Sequence, residues 1–569
     1  MHWKFPQFDS KLIGYISQKY TIPILHAKIM ALRGLKDQKS IEPFFNLKLS
    51  QLYDPFLMKD MNKAVERVIQ NIQKKIPIFI LGDYDVDGTT SASILYLGIK
   101  ALGGNVTTYI PDRDKEGHGL SNKGIDVAVG LGANLIITCD CGIKQVEQTN
   151  YANLKNIDVI ISDHHISDKL LPNAFAIINP NQSYCEYPFK DLCGAGVAWK
   201  LLSGIVQKLG APKKIIFDLL DLVALGTVAD LVPLKNENRI LVHYGLKSLK
   251  QQKRLGIREL LKGVNVNIKK DLSVMELLFT IVPRINAACR VGDANKSVEL
   301  LTTNDKLIAN KLAKRLNDEN NKRQNIQKSV YEDACSMIYE SINLEIEKVI
   351  VLGSKGWHPG VIGIVASKLK DEFHRPVIII SIDKNGYGRG SARSIKGLDL
   401  YKVLSKTKNL LLEYGGHPMA AGFLINNTNI EKFKKTVCSL VNKQLSISSI
   451  EPKINLDVNI SVKDINQRLM SFLKQLSPFG PGNKRPKFGV IDVKVIGNPK
   501  IIGNGNHIRF QIQQNQNIMD VVGFGLADHY KILISGKRID IACFIENTIW
   551  RGKEFIQLNA KDIRLSILN

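Results

Sequence analysis

Five short runs of aliphatic and β-branched residues, Ile76–Leu81, Val106–Ile110, Leu135–Thr138, Val159–Ile161 and Phe175–Ile178, alternate with helix-like amphipathic stretches between about Ala64 and Ile178. That alternation predicts βαβ units around a mostly parallel sheet. Such a sheet carries its working residues in loops at the carboxyl ends of its strands. The unusual polar residues of this segment fall there, and they do so at three strands.

The first strand runs into Leu81-Gly82-Asp83-Tyr84-Asp85-Val86-Asp87-Gly88, and a helix start is expected at Thr89-Thr90-Ser91. Three carboxylates so close repel one another and would destabilise the loop or force protonation unless divalent cations neutralise them. A site for a hard metal ion resolves the conflict. The alternatives are a solvated acidic turn or a single calcium loop, since D-x-D-x-D-G opens an EF-hand. That loop, however, ends in Glu at its twelfth position and lies between two helices, whereas position 94 is Ile and a strand leads in. The second and third of these strands end similarly, in Thr138-Cys139-Asp140-Cys141-Gly142 and Ser162-Asp163-His164-His165. A fourth acid, Asp230, lies in the otherwise apolar stretch Gly226–Pro233, where burial without a partner would be costly. Singly, each acid reads as a cap or a turn residue. At successive strand ends they form a pattern.

A chain of 569 residues exceeds one core, and at about 150 residues per domain roughly three or four domains are expected. From Asn304 to Ser341 there is neither Gly nor Pro, and Leu307, Leu312, Leu316, Ile326, Val330 and Ile338 recur at helical spacing. A long connecting helix is predicted. Lys348–Leu352, a helix at Val361–Lys370 and a strand at Val377–Ser381 begin a second α/β domain. Beyond a linker at Ser446–Pro452, short alternating strands, among them Ile508–Ile512, Met519–Phe524, Ile539–Phe544 and Phe555–Leu558, predict a small β-barrel.

Hydrophobic content of 44% and charged content of 23% are those of globular domains, and no apolar run approaches the ~20 residues that span a bilayer. The start, Met1-His2-Trp3-Lys4-Phe5-Pro6, lacks the features of a secretion signal. A cytoplasmic protein without membrane association is expected. The eight cysteines are scattered without a C-x-x-C pair and read as reduced thiols. Cys139 and Cys141 flank Asp140, but no second pair completes a tetrahedral zinc site. The net charge of +25 would attract a polyanion such as nucleic acid, although a Lys-, Asn- and Ile-rich composition could produce the same excess.

The ordered motifs Gly82–Gly88, Thr138–Gly142, Asp163-His164-His165 and Gly226–Pro233 resemble the DHH phosphoesterases, and motifs downstream resemble the exonuclease branch of that superfamily. The pyrophosphatase branch carries a His where Leu81 stands, and Asp83 would supply the missing ligand. The fold implied is a parallel-sheet DHH catalytic domain, a long connecting helix, a second smaller α/β DHH-associated domain and a C-terminal OB-type barrel. The expected boundaries are 1–60 for an N-terminal segment packing on the catalytic domain, 61–245 for the catalytic domain, 246–342 for the helical connector, 343–445 for the associated domain and 451–569 for the barrel.

The activity implied is single-stranded-DNA-specific 5′→3′ exonuclease action, releasing 5′-mononucleotides in recombination and repair. Two divalent cations, Mn2+ or Mg2+, roughly 3.5–4 Å apart, are expected on Asp83, Asp85, Asp87, Asp140, His164 and Asp230, with Asp140 bridging. An imidazole ligand suits Mn2+ better than Mg2+. Asp163 and His165 complete the catalytic set, and His165 is expected to orient phosphate. Motif resemblance implies that Arg113, His118, Arg284, Asn286, Arg290, His358, Ser391, Arg393 and His417 meet phosphate or DNA, with Arg113, Arg284, Ser391 and Arg393 gripping the terminal 5′-phosphate. Five of the eleven histidines fall in these motifs. Leu476–Asn483 introduces the barrel, where Phe479, Lys484, Arg485, Lys487, Arg509, Phe510 and Arg551 are candidate DNA contacts. Partners implied are single-stranded DNA with a free 5′ end, single-strand-binding protein and a helicase. The rivals are a smaller DHH phosphodiesterase of oligoribonucleotides or cyclic dinucleotides, which leaves the connector and barrel unexplained, and a non-catalytic DNA-binding relative, which would have lost its acids.

Overall fold

The predicted strands form one all-parallel sheet: Ile78–Gly82 (β1), Val106–Tyr109 (β2), Leu135–Cys139 (β3), Asp158–Ser162 (β4) and Ala176–Ile178 (β5), in the order β2-β1-β3-β4-β5. Every residue of β1 and β3 is buried, as expected of a sheet covered on both faces. Phe79, Leu81, Ile136, Val159 and Ile161 share a core with Ile125, Ala128 and Ala152 of helices Asn122–Gly130 and Val146–Leu154. Helices Met61–Lys74 (α1), Val86–Ala101 (α2), Gly194–Lys208 (α3) and Leu220–Ala229 (α4) complete the layers, with α2, α3 and α4 in mutual contact. The register aligns Gly82 with Cys139 and Cys139 with Ser162. Asp83, Asp140 and Asp163 therefore leave the sheet side by side.

This computed structural model describes residues 2–113, 115–264, 272–550 and 553–566. It divides into two units, one of residues 3–289, 293–314 and 454 onward, the other built mainly of 315–453 with 290–292. The expected connector, 246–342, is accordingly shared. Its short helix Asn295–Thr302 packs on α2 in the first unit, and Asn295 bonds both the N–H and the carbonyl of Ile110. The long helix is Lys306–Ser341, close to its predicted span. Its later residues Val330, Ala334 and Ile338 belong to the core of the second unit, with Ile350, Leu352, Trp357 and Val365. That unit holds a five-stranded mixed sheet, in the order Leu411–His417, Ala420–Asn426, Tyr387–Arg393, Val377–Ile382, Ile350–Lys355, with parallel pairing only at the last step.

The barrel lies in the first unit. Strands Phe488–Ile502, His507–Gln514, Asn517–Gly523, Lys553–Leu565 and Ile539–Trp550 follow one another round, and the last pairs with the first. Closure leaves no open edge. The N-terminal segment differs from expectation: Ile13, Ile16, Ile29, Met30 and Ile41 lie in one cluster with barrel residues Phe488, Val490 and Ile541, not with the catalytic sheet. The reason is an apolar face offered by helix Gln467–Gln475, where Leu469 and Phe472 are buried and His26 stacks on Phe472 at 4.0 Å between ring centroids. Contact with the catalytic domain comes later in the segment, where Tyr53 N–H donates to Glu237 at 2.8 Å and Asp60 accepts from Ile177 N–H at 3.0 Å. Ile16→Ala should cost about 2–5 kcal/mol of stability in chemical denaturation followed by circular dichroism, and a negligible shift would refute this packing.

Candidate active site

The amides of the three aligned acids continue the sheet ladder: Asp83 N–H donates to Cys139 O at 3.0 Å, Asp140 to Ser162 O at 2.9 Å and Asp163 to Ile178 O at 3.1 Å. Asp140 adopts φ 63°, a left-handed conformation uncommon for a residue with a side chain. Helix α2 begins at Val86, three residues before the predicted start, because Asp85 caps it by accepting from Gly88 N–H at 3.0 Å. Asp87 thus sits in the first helical turn. Both its oxygens are held by the open N-terminus of α3, from Gly194 N–H at 2.6 Å and Ala195 N–H at 2.8 Å.

Glycines let the helices come this close. A Cβ on Gly194 would lie 2.6 Å from Asp140 Cβ, and one on Gly226 would lie 2.5 Å from Asp87 Oδ1. Asp230 caps the carboxyl end of α4. Its Oδ2 lies 3.6 Å from His164 Nε2, which is also 3.1 Å from Asp140 Oδ1 and 3.9 Å from Asp87 Oδ2. On the other flank His118 Nδ1 is 3.0 Å from Asp83 Oδ1. Asp163 stands behind the cluster, accepting from Ile143 N–H at 3.0 Å, His164 N–H at 2.7 Å and His165 Nδ1 at 2.7 Å.

Among the described residues three sets of donors lie within 4.8 Å of one another: Asp83, Asp85 and Asp140; Asp87, His164 and Asp230; and Asp140, His164 and His165. Asp140 and His164 are shared, so the sets are contiguous. Desolvation, then the charges of Asp83 and Asp87, push Asp85 up to about 6. Asp230 rises to about 8 through burial and then Asp87, and Asp140 rises for the same reasons. Asp163 behaves oppositely: burial alone would raise it, but the bond and charge of His165 outweigh burial and bring it down to about 2. His165 correspondingly reaches about 9 against the pull of desolvation, so the pair is charged near neutrality. His164 is lowered, chiefly by burial, and stays neutral and able to ligate. Asp140 Oδ1 and His164 Nε2 are buried without a well-formed hydrogen bond. Oxygen-rich donors with one neutral imidazole, three of their atoms unsatisfied once Asp83 Oδ1 is included, fit divalent cations of the Mn2+ or Mg2+ type.

The family is decided by comparison along the whole chain. Residues 77–227 match the DHH family N-terminal domain, 346–443 the DHHA1 domain and 456–562 the RecJ OB domain. The single-stranded-DNA-specific exonuclease RecJ of Bacillus subtilis (strain 168) is 36% identical over 569 residues, covering 100% of this chain and 71% of that protein. The chain belongs to the RecJ family. RecJ of Haemophilus influenzae is 33% identical, over 90% of this chain and 91% of its own. Among solved structures, RecJ of Thermus thermophilus in complex with Mn2+ superposes with TM-score 0.83 at 26% identity, over 99% of this chain and 79% of that one. An exonuclease RecJ bound to manganese gives TM-score 0.60 at 32% identity, over 70% and 97%.

The other residues singled out by RecJ resemblance are distributed over both units. In the first, the Arg113 guanidinium carbon lies 5.4 Å from the Tyr84 ring centroid, and Arg284 donates to Thr280 O at 2.6 Å. Asn286 accepts from Val86 N–H at 3.2 Å, so its amide oxygen is committed to holding the loop that carries Asp83, Asp85 and Asp87. In the second unit, Arg393 donates from Nη1 to Ser391 Oγ and from Nε to Ser367 Oγ, each at 3.1 Å. Arg290 reaches Gly360 O at 2.8 Å, and His358 Nδ1 accepts Gly360 N–H at 3.0 Å. Burial and then the like charge of Arg290 lower Arg393, an arrangement that favours a bound anion. His417 is exposed at a strand end. Phe510, named as a candidate base contact, is 3% exposed inside the barrel core and cannot stack on a base, because the alternation of its strand turns it inward. Arg551 lies outside the described residues.

Sequence reasoning missed the Gly194 and Ala195 amides and Tyr84 as a platform for Arg113. Two expectations follow from the RecJ site. Because Asp85 and Asp230 are raised in the fold above the ordinary carboxylate value of about 4, metal-free protein keeps their contribution below about pH 4 and loses it as pH climbs through about 6 and about 8. The rise in Tm on adding Mn2+ should therefore grow from about pH 5 to about pH 8, and Asp140→Asn should raise the metal-free Tm while removing the response. Gly226→Ala should weaken Mn2+ binding about 10–100-fold by calorimetry with an unchanged circular dichroism spectrum.

Proposed function

We propose that this chain is a single-stranded-DNA-specific 5′→3′ exonuclease that releases 5′-mononucleotides, serving recombination and repair. The observation that carries the reading is the run of ligand sets joined through Asp140 and His164: Asp83 and Asp85 beside Asp140 to one side, Asp87 and Asp230 beside His164 to the other. Two divalent cations held there would supply Lewis acidity at phosphorus and an activated water. Asp83, Asp85, Asp87, Asp140, His164 and Asp230 would hold them, and Asp163 acts through His165, keeping its imidazole protonated and directed so that it orients a phosphate oxygen. In the first unit Arg113 and Arg284 supply cationic contacts and His118 a weaker one; in the second, Arg290 and Arg393 supply theirs, with hydrogen bonds from Ser391, His358 and His417. Water attacks the phosphorus that follows the first nucleotide, the 3′ oxygen of that nucleotide leaves, and the shortened strand retains a 5′-phosphate.

The family supports this reading, since curated RecJ relatives carry the single-stranded-DNA-specific exonuclease name. The net charge of +25 favours association with a polyanion, and a barrel that matches the RecJ OB domain offers a second strand-binding surface. No helix among the described residues is long and apolar enough to cross a membrane. We place the enzyme in the cytoplasm, with single-strand-binding protein and a helicase as partners that expose its substrate.

The test is incubation with Mn2+ and single-stranded or duplex DNA labelled at either end, beside an Asp140→Ala variant. Labelled mononucleotide should leave the 5′ end of single strands alone, and the variant should lose more than the ~10–100-fold that changes behind a metal ligand typically cost. Binding without cleavage would overturn the reading in favour of a scaffold, and cleavage of short RNA alone in favour of a smaller phosphodiesterase.

A further inference from the structure

Arg113 and His118 ride on the stretch that joins β2 to helix Asn122–Gly130, and a single carboxylate closes it. The Glu116 side chain, 6% exposed, accepts from the Tyr109 hydroxyl at 2.8 and 2.9 Å, Asp112 N–H at 3.2 Å, Ser121 Oγ at 2.9 Å and Lys123 Nζ at 3.2 Å. Two donors precede Arg113 and two follow His118, so Glu116 staples both ends of the segment. Ser121 also caps the following helix through Gly124 N–H at 3.0 Å. Gly117 and Gly119, at φ 84° and 78°, make the turns that side chains would resist. Burial alone would raise the Glu116 carboxyl, but the bonds from Tyr109, Asp112, Ser121 and Lys123 outweigh it and hold it low. Its negative charge is spent inside the loop, where an unspent carboxylate near Arg113 would repel phosphate. Tyr84 completes the support, lying under the Arg113 guanidinium and edge-on to His118 at 6.0 Å.

We propose that Glu116 is a positioning residue that fixes Arg113 as a receptor for the terminal 5′-phosphate before DNA arrives. This rests on the reading of Arg113 given above. A preset guanidinium loses less conformational freedom on binding than one on a mobile loop, and the gain applies only to strands that carry the phosphate.

The measurement is fluorescence anisotropy of 3′-labelled single strands ending in 5′-phosphate or 5′-hydroxyl, in EDTA at fixed salt so that nothing is cleaved. Wild-type protein should prefer the phosphorylated strand by about 10-fold or more. Glu116→Ala should lose most of that preference, Arg113→Ala should lose the same part, and the double variant should lose no more than either. Glu116→Gln, which keeps an oxygen acceptor, should retain most of the preference, and Tyr109→Phe, which removes one donor, should lose part. Unchanged binding of the 5′-hydroxyl strand certifies the fold of each variant. A preference that survives Glu116→Ala, an equal weakening of both strands, or no preference in wild type would overturn the proposal. The end-labelled cleavage assay answers separately, so failure here leaves the nuclease reading to stand or fall alone.

Discussion

Mutual repulsion among Asp83, Asp85, Asp87, Asp140 and Asp230 is the constraint to which the catalytic domain is built. Two unit charges 4 Å apart repel by about 4 kcal/mol at an effective dielectric of 20, and a domain's entire stability is about 5–15 kcal/mol. Several such pairs cannot all stay ionised in a folded chain without compensation. The fold offers partial answers: two backbone amides on Asp87, a helix cap on Asp85, a histidine beside Asp83, and raised affinity for protons at Asp85, Asp140 and Asp230. Divalent cations held there would complete the compensation.

Holding those acids in place requires a stiff frame, and the parallel sheet supplies it. Register places the three strand-end aspartates at one level, and their own amides extend the hydrogen-bond ladder. Helices α3 and α4 then approach without intervening side chains, through Gly194 and Gly226. Close approach matters because the charge of a helix N-terminus falls off within its first turn. Asp163 is excluded from the ligand sets although it comes from the same row, and its four donors explain why: it is occupied in holding Ile143, His164 and His165.

Away from the carboxylates, binding functions are spread over the chain. The barrel is closed, and residues 13–41 cover part of it through a shared apolar core. The second unit keeps its own cores and its own cationic cluster, in which Gly363 leaves space beside Ser391 and Arg393. Each unit thus carries candidate anion-binding groups of its own: Arg113 and Arg284 in the first, Arg290 and Arg393 in the second.

The sequence by itself determined the parallel sheet, the long helix, the barrel and the identities of the acids, since strand-sized apolar runs, helical periodicity and strand-end charges are local properties of the chain. It also set the motif order that resembles the DHH phosphoesterases. Tertiary structure alone decided that Asp87 is gripped by amides more than a hundred residues later in the chain, that Asp163 stands back while Asp140 is shared, and that Asn286 braces the acidic loop at Val86. It likewise turned Phe510 inward and sent the N-terminal helices to the barrel. The physical reason is common to all of these: they depend on which groups meet across long sequence separations, and a side chain's burial or charge state is set by that meeting and not by its neighbours in the chain.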